Sequence, residues 1–176
     1  MVTFEEAIEL HTELHINDSK FNGYSIAIHL PELADIIKNS NIHNVLDYGC
    51  GKAKGWHRGK YAHVIGLKST DDVYLYDPCV EDYNKYPPPH HKFDMVVCTD
   101  VMEHIPLDGI PIVLGNIFSL AKKAVFITIA TKPAKKMLRP DLNAHLTVQP
   151  PEWWREQINT YNTKELYCKV KFDVDS

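Results

Sequence analysis

The sequence predicts an α/β fold, a three-layer sandwich with a mostly parallel sheet between helices. Three observations lead there. Short apolar runs alternate with stretches of helical periodicity along the chain. Two of the runs, Phe93 to Thr99 and Ala124 to Ala130, are apolar almost throughout, as strands covered on both faces must be. The runs at His43 to Tyr48 and Val73 to Tyr76 each stop at a turn, Gly49-Cys50-Gly51 and Asp77-Pro78.

The elements follow in order. Thr3 and Glu6 have the spacing of a capping box, and Phe4, Ala7, Ile8, His11 and Leu14 form one helical stripe, so the chain opens with an amphipathic helix that ends in the stretch Asn17 to Gly23. Leu30 to Lys38 is a second helix with Pro31 in its first turn. A strand over His43 to Tyr48, a basic and weakly helical stretch from Lys54 to Lys68, and a strand over Val73 to Tyr76 come next. A Pro-rich connection, Tyr86 to His91, leads into the Phe93 strand. Ile110, Val113, Leu114, Ile117 and Ala121 mark a helix before the Ala124 strand. Lys132 to Gln149 reads as a polar connection, Glu152 to Asn159 as a short helix, and the alternation of Leu166, Cys168, Val170 and Phe172 as a final half-exposed strand.

The length of 176 residues suits one domain, expected as a helical cap over 1–40, a ligand-binding core over 41–130 and a substrate-side segment with the last strand over 131–176. A net charge of −4 gives no overall pull toward nucleic acid or an anionic membrane. Cys50, Cys79, Cys98 and Cys168 lack zinc-site spacing and are too few for a disulfide scaffold, which favours a reducing, cytoplasmic setting. Met1 to Leu14 is acidic and unlike a secretory signal, and no apolar run reaches the roughly 18 residues of a membrane span.

In such a sheet, ligands bind beyond the carboxyl ends of the strands, so the residues just after each strand are the ones to inspect. Gly49 to Gly51 offers a turn against which a ligand can lie on the backbone, and Asp77 offers a carboxylate able to bridge the two hydroxyls of a ribose. A dinucleotide fold shares both features, but its G-x-G-x-x-G fingerprint needs glycine where this chain has Lys54, which weakens a nicotinamide-dependent NAD(P) oxidoreductase.

The segment Val45 to Gly55 resembles the first motif of the class I S-adenosylmethionine-dependent methyltransferases, and Asp77 resembles the ribose carboxylate of their second. Phe93 to Pro106, with Thr99-Asp100-Val101-Met102-Glu103-His104, is similar to their fourth motif. Asn143-Ala144-His145 and Pro151-Glu152-Trp153-Trp154 resemble segments of short members from bacteria and their viruses, so the likeness spans roughly residues 20 to 160. It implies a Rossmann-like sheet, here lacking the third strand because only fifteen residues separate Asp77 from Phe93. The adenine pocket would then be built from the Cys79 to Tyr86 loop, and the C-terminus is short for the family's final hairpin.

The resemblance also implies S-adenosyl-L-methionine as cofactor and S-adenosyl-L-homocysteine as product. Cofactor contacts fall on Asp47, Tyr48, Gly49, Cys50, Gly51, Asp77, Pro78, Thr99, Asp100 and Val101, with Tyr24 and Ser25 of the Phe21 to Ser25 turn as a lid. His104, His145 and Asp100 are the catalytic candidates, the imidazoles as bases because they titrate near neutral pH. Each residue also has a plainer reading. Asp77 can form a turn before Pro78, Asp47 can bond the loop backbone, and Glu103-His104 can cap or pack. No metal is expected: His90-His91 near Cys79 or Cys98 reads as a solvated loop. The basic clusters Lys52, Lys54, Arg58, Lys60 and Lys132, Lys135, Lys136, Arg139 read as solvated faces, and one of Trp153-Trp154 as core.

The expected function is methyl transfer to a small-molecule or nucleotide acceptor, with a non-catalytic cofactor-binding module as the alternative. Thr99-Asp100-Val101-Met102 is not the polar-Pro-Pro-aromatic motif of DNA amino-methylation, and Pro78-Cys79 follows the wrong strand for cytosine C5 chemistry. Few residues remain for a recognition domain, so a macromolecular acceptor would call for a second subunit, and a homo-oligomer is compatible with the chain.

Overall fold

The computed structural model describes residues 2–17, 22–58 and 60–172; Phe21 of the expected lid turn, part of the expected end of the first helix, and residues 173–176 of the C-terminal segment lie outside them. Helix α1 (Phe4–Asn17) starts at the expected capping box: Glu6 N–H donates to Thr3 Oγ1 at 3.2 Å, and Thr3 N–H donates to Glu6 Oε2 at 2.9 Å. After a 3-10 turn (Ser25–His29) comes α2 (Leu30–Asn39), with Pro31 in its first turn where no intrahelical N–H is needed.

Five strands form one sheet: β1 (Val45–Tyr48), β2 (Val73–Tyr76), β3 (Phe93–Thr99), β4 (Ala121–Ile129) and β7 (Tyr167–Phe172), in the order β2-β1-β3-β4-β7, every pair parallel. Short helices α3 (Lys54–Arg58) and α4 (Tyr61–Val64) lie between β1 and β2, and α5 (Ile110–Leu120) runs directly into β4. Helix α6 (Pro151–Tyr161) precedes β7.

Strand alternation sorts the core into two layers. Leu46, Val96, Cys98, Val125 and Ile127 face α5 and α6 through Leu114, Ile117, Trp154 and Ile158. Their alternates Val45, Met95, Val97, Ala124 and Phe126 face α2, α3 and α4 through Leu33, Ile37, Trp56 and Ala62. Fully burying an aliphatic or aromatic side chain of this size contributes about 1.5–3 kcal/mol, so both layers are needed to hold the sheet. At its lower edge Asp94 accepts from His43 N–H at 2.9 Å and from Lys123 Nζ at 3.2 Å, and its carboxyl is held below the usual range by those bonds against the cost of its burial.

Between β2 and β3 the chain has a single 3-10 turn (Glu81–Tyr83) and no strand, so β2 is an edge. The Pro-rich connection packs there instead. Tyr76 meets Tyr86 edge-on with centroids 5.4 Å apart, Tyr74 donates its hydroxyl to Lys85 O at 3.2 Å, and the His91 and Phe93 rings stack at 4.7 Å. Aromatic contacts from this connection thus cover part of an edge that would otherwise invite another strand. At the opposite edge, β7 pairs with β4 alone, with no antiparallel partner among the described residues.

The Lys132 to Gln149 connection is more structured than expected. It carries an antiparallel hairpin, β5 (Met137–Arg139) and β6 (Leu142–Asn143), folded at Pro140-Asp141 and braced by Asn143, which accepts from Ala134 N–H and donates to Ala134 O, both at 2.9 Å. Strands this short leave no periodicity to read, and the Pro-Asp turn was the available signal. No helix among the described residues is long and apolar enough to cross a membrane.

Candidate active site

A cavity of about 420 Å³ opens at the carboxyl ends of the strands, inside the range of small-molecule and cofactor sites. One wall is the turn after β1. Gly49 and Gly51 have φ of +84° and +56°, a region closed to most side chains, and both line the cavity. A Cβ on Gly49 would stand 2.3 Å from Val101 Cγ2, so glycine is what lets the β1 and β3 turns meet.

Asp77 fixes the neighbouring wall. Its Oδ2 accepts from Gly51 N–H at 2.8 Å and its Oδ1 from Cys79 N–H at 2.9 Å. Each carboxylate oxygen has two acceptor sites, so both keep capacity for a ligand donor while the residue ties the two turns together. Pro78 and Cys79 also line the cavity, whereas the rest of the loop expected to build the adenine pocket, residues 80–86, does not.

The β3 end supplies Thr99, Asp100 and Val101. Asp100 has φ +54°. It is held by Thr128, whose Oγ1 donates to Asp100 Oδ1 at 2.7 Å and whose carbonyl accepts from Asp100 N–H at 3.1 Å. Tyr24 and Ser25 lie at the rim, Tyr24 45% exposed and Ser25 Oγ sharing a hydrogen bond of 3.2 Å with Thr99 Oγ1. That segment is seated on the β1 turn: Asn22 O accepts from Lys54 N–H at 2.9 Å, and a Cβ on Gly23 would lie 2.4 Å from Cys50 O.

Two expected cofactor contacts point elsewhere. Asp47 lies on the α3 side of the sheet, where its Oδ2 accepts from Trp56 Nε1 at 2.6 Å. Burial raises its pKa to about 7, against the Trp56 bond and with the nearby Asp77 charge adding to the rise. Cys50 is buried with its Sγ against Gly51 O, and burial pushes its thiol far above the usual range. Among the described residues, the cavity is walled by Tyr48, Gly49 and Gly51 from this turn, not by those two side chains. Tyr48 faces the α5 layer, accepting from Asn116 Nδ2 at 3.3 Å.

The remaining wall comes from α1, which places Phe4, Ala7, Ile8, His11 and His15 along the cavity opposite His104 and Ile105. His11 belongs to the stripe that reads as apolar, and a titratable residue on such a stripe was the signal for it. Its Nδ1 donates to Ala7 O at 2.9 Å, and its Nε2 lies 3.2 Å from His104 Nδ1, whose one hydrogen it shares with Ala144 O at 2.9 Å. Burial, aided by the neighbouring imidazoles, pushes the His104 pKa down to about 3, so its ring is neutral at physiological pH. His145 crosses His104 edge-to-face with centroids 4.8 Å apart and stands behind it. Asn22 also lines the cavity, and its Oδ1 is buried with no hydrogen-bond partner. It lies in the expected lid turn, where the sequence points to Tyr24 and Ser25 instead.

A family model described as a methyltransferase domain matches residues 19–167. The chain belongs to the class I methyltransferase family. The match takes in β1 to β4 and only the first residue of β7, and it includes the glycine turn after β1, Asp77 and the β3 end of the cavity. No curated protein and no solved structure gave a significant match. The methyltransferase assignment therefore rests on the family model and on the parallel sheet with its cavity at the strand ends.

Proposed function

We propose that the protein transfers a methyl group from S-adenosyl-L-methionine to a small-molecule or nucleotide acceptor, leaving S-adenosyl-L-homocysteine. The observation that carries this reading is the Asp77 carboxylate at the end of β2, bonded to Gly51 N–H and still able to accept, in a cavity of about 420 Å³. The unpartnered Asn22 Oδ1 adds a second fit: a buried acceptor in the cavity wall suits a ligand ammonium, and the cofactor's methionine end carries one.

When bound, S-adenosylmethionine supplies a methyl on a positively charged sulfur that leaves as a neutral thioether. The chain's part is to bind and align. Asp77 accepts from the ribose hydroxyls, and the Gly49 to Gly51 turn lets the methionine portion lie against backbone. Asn22 Oδ1 takes the ammonium. Thr99, Asp100 and Val101 border the methyl, and Tyr24 with Ser25 covers the mouth. On the acceptor side Asp100, fixed by Thr128, accepts a hydrogen bond or a proton from the attacking group. Helix α1 walls a cavity of about 420 Å³ in all, which favours a small acceptor or a single projecting group.

Thermal unfolding with S-adenosylhomocysteine, NAD and NADP tests the cofactor. Only a ligand that prefers the folded state raises the midpoint, so a rise with S-adenosylhomocysteine alone is expected, and a rise with NAD alone defeats the reading. Incubation with methyl-labelled donor and cell extract tests catalysis. Tight binding with no acceptor labelled would instead favour a non-catalytic cofactor-binding module.

A further inference from the structure

Beside the cavity stands a cluster of metal-ligating side chains. Glu103 and His104 lie in the 3-10 turn (Met102–His104) after β3, and His145 follows the β5–β6 hairpin. One ligand atom from each of the three falls within 4.8 Å of the others. Glu103 is fully buried, with Oε1 accepting from Ala130 N–H at 3.1 Å.

Both imidazoles are turned the same way chemically. His104 Nδ1 lies 2.9 Å from Ala144 O, and His145 Nδ1 bonds to Lys132 O. A carbonyl only accepts, so each ring carries its hydrogen on Nδ1 and a lone pair on Nε2. A backbone carbonyl that anchors one nitrogen and frees the other is the usual support of a metal-binding histidine. The three backbone anchors come from β4's end and the hairpin segment, so the set is held from two sides.

We propose that Glu103, His104 and His145 bind one divalent transition-metal ion. Two imidazole nitrogens and one carboxylate oxygen favour zinc, cobalt or their first-row neighbours over magnesium and calcium, which take oxygen ligands. Bonds of about 2.0–2.2 Å bring tetrahedral ligand atoms to roughly 3.4 Å of one another, so the groups close by up to about 1.4 Å on loading. Three protein ligands leave a position open, and His104 is also part of the cavity wall. The site does not depend on the methyl-transfer reading. Where that reading holds, the open position brings an acceptor oxygen next to a Lewis acid and lowers the pKa of its hydroxyl.

The test is calorimetric titration of chelator-stripped full-length protein with zinc, cobalt and magnesium chlorides, with the visible absorption of the cobalt form as a coordination readout. One equivalent of zinc or cobalt is expected to bind, and magnesium at the same concentration is not. His145→Ala and Glu103→Gln should each weaken zinc binding tenfold or more and alter the cobalt spectrum, with thermal unfolding run on both to confirm that they are folded. His145 is half-buried at a loop end, which makes its variant the safer of the two. No stoichiometric zinc or cobalt binding, or affinity unchanged in folded forms of both variants, overturns the proposal. S-adenosylhomocysteine titrated into the stripped protein reads the cofactor site separately, so either reading can fail alone.

Discussion

Trp56 donates its indole Nε1–H to Asp47 Oδ2 at 2.6 Å, while Asp47 Oδ1 is buried with no hydrogen-bond partner. A half-satisfied carboxylate in an apolar layer is costly when ionised, which is why its pKa rises to about 7. Asp47 thus pins α3 beneath the glycine turn, and the turn rather than the carboxylate meets the cavity.

The sign of the resulting pH dependence follows. An unfolded Asp titrates near 3.9. Between about pH 4 and pH 7 the folded state keeps a proton that the unfolded state has lost, so stability falls as pH rises through that window and levels off above it. The difference is at most about 4 kcal/mol. Urea unfolding of wild type and Asp47→Asn at pH 4.5 to 8 isolates it. The wild type should lose stability relative to the variant with rising pH, and parallel curves would mean that Asp47 is ionised throughout.

Most of the sheet was legible because its strands are short, apolar and closed by turn residues: the β2 and β3 boundaries coincide with Val73 to Tyr76 and Phe93 to Thr99. The edge left by the missing strand followed from chain length alone. What was not legible depends on tertiary placement. An acid two residues before a glycine turn reads as a ligand contact, and only the position of Trp56 on α3 turns it inward. His11 reads as stripe because helical spacing cannot tell a core wall from a cavity wall. Asn22 became a candidate when its carboxamide proved buried and unpartnered.

Gly49 tests the contact between the two turns. Gly49→Ala places a methyl 2.3 Å from Val101 Cγ2 and forces alanine to φ +84°. Overpacking and backbone strain together should cost about 2–4 kcal/mol. Gly49→Ala combined with Val101→Ala removes the clash and keeps the strain, so denaturant unfolding should recover part of the loss. Strict additivity of the two changes would show that the turns do not meet as described.

Asp77 has both a structural and a binding role, and the two can be separated. Asp77→Asn should lower S-adenosylhomocysteine affinity by about 1–3 kcal/mol, the scale of lost hydrogen bonds to a charged acceptor. It should also lower the melting temperature, because Gly51 N–H and Cys79 N–H lose a charged partner. Isothermal titration on the folded fraction distinguishes them. A lower melting temperature with unchanged affinity would leave Asp77 as a turn former only.

Thr128 tests whether Asp100 matters as a positioned group. The left-handed backbone of Asp100 costs of order 1 kcal/mol or more, and the Thr128 hydroxyl opposes that cost by bonding both its carboxylate and its N–H. Thr128→Val keeps the shape and removes the hydroxyl. Unfolding free energy should drop by about 1.5–3 kcal/mol, the range for a hydrogen bond to a charged group. Because Asp100 lines the cavity, S-adenosylhomocysteine affinity should fall several-fold at the same time. Thr128→Ser restores the hydroxyl and should recover most of both losses. A variant that loses stability but binds S-adenosylhomocysteine as tightly as wild type would detach the Asp100 anchor from the cofactor site and confine it to holding the β3 turn on β4.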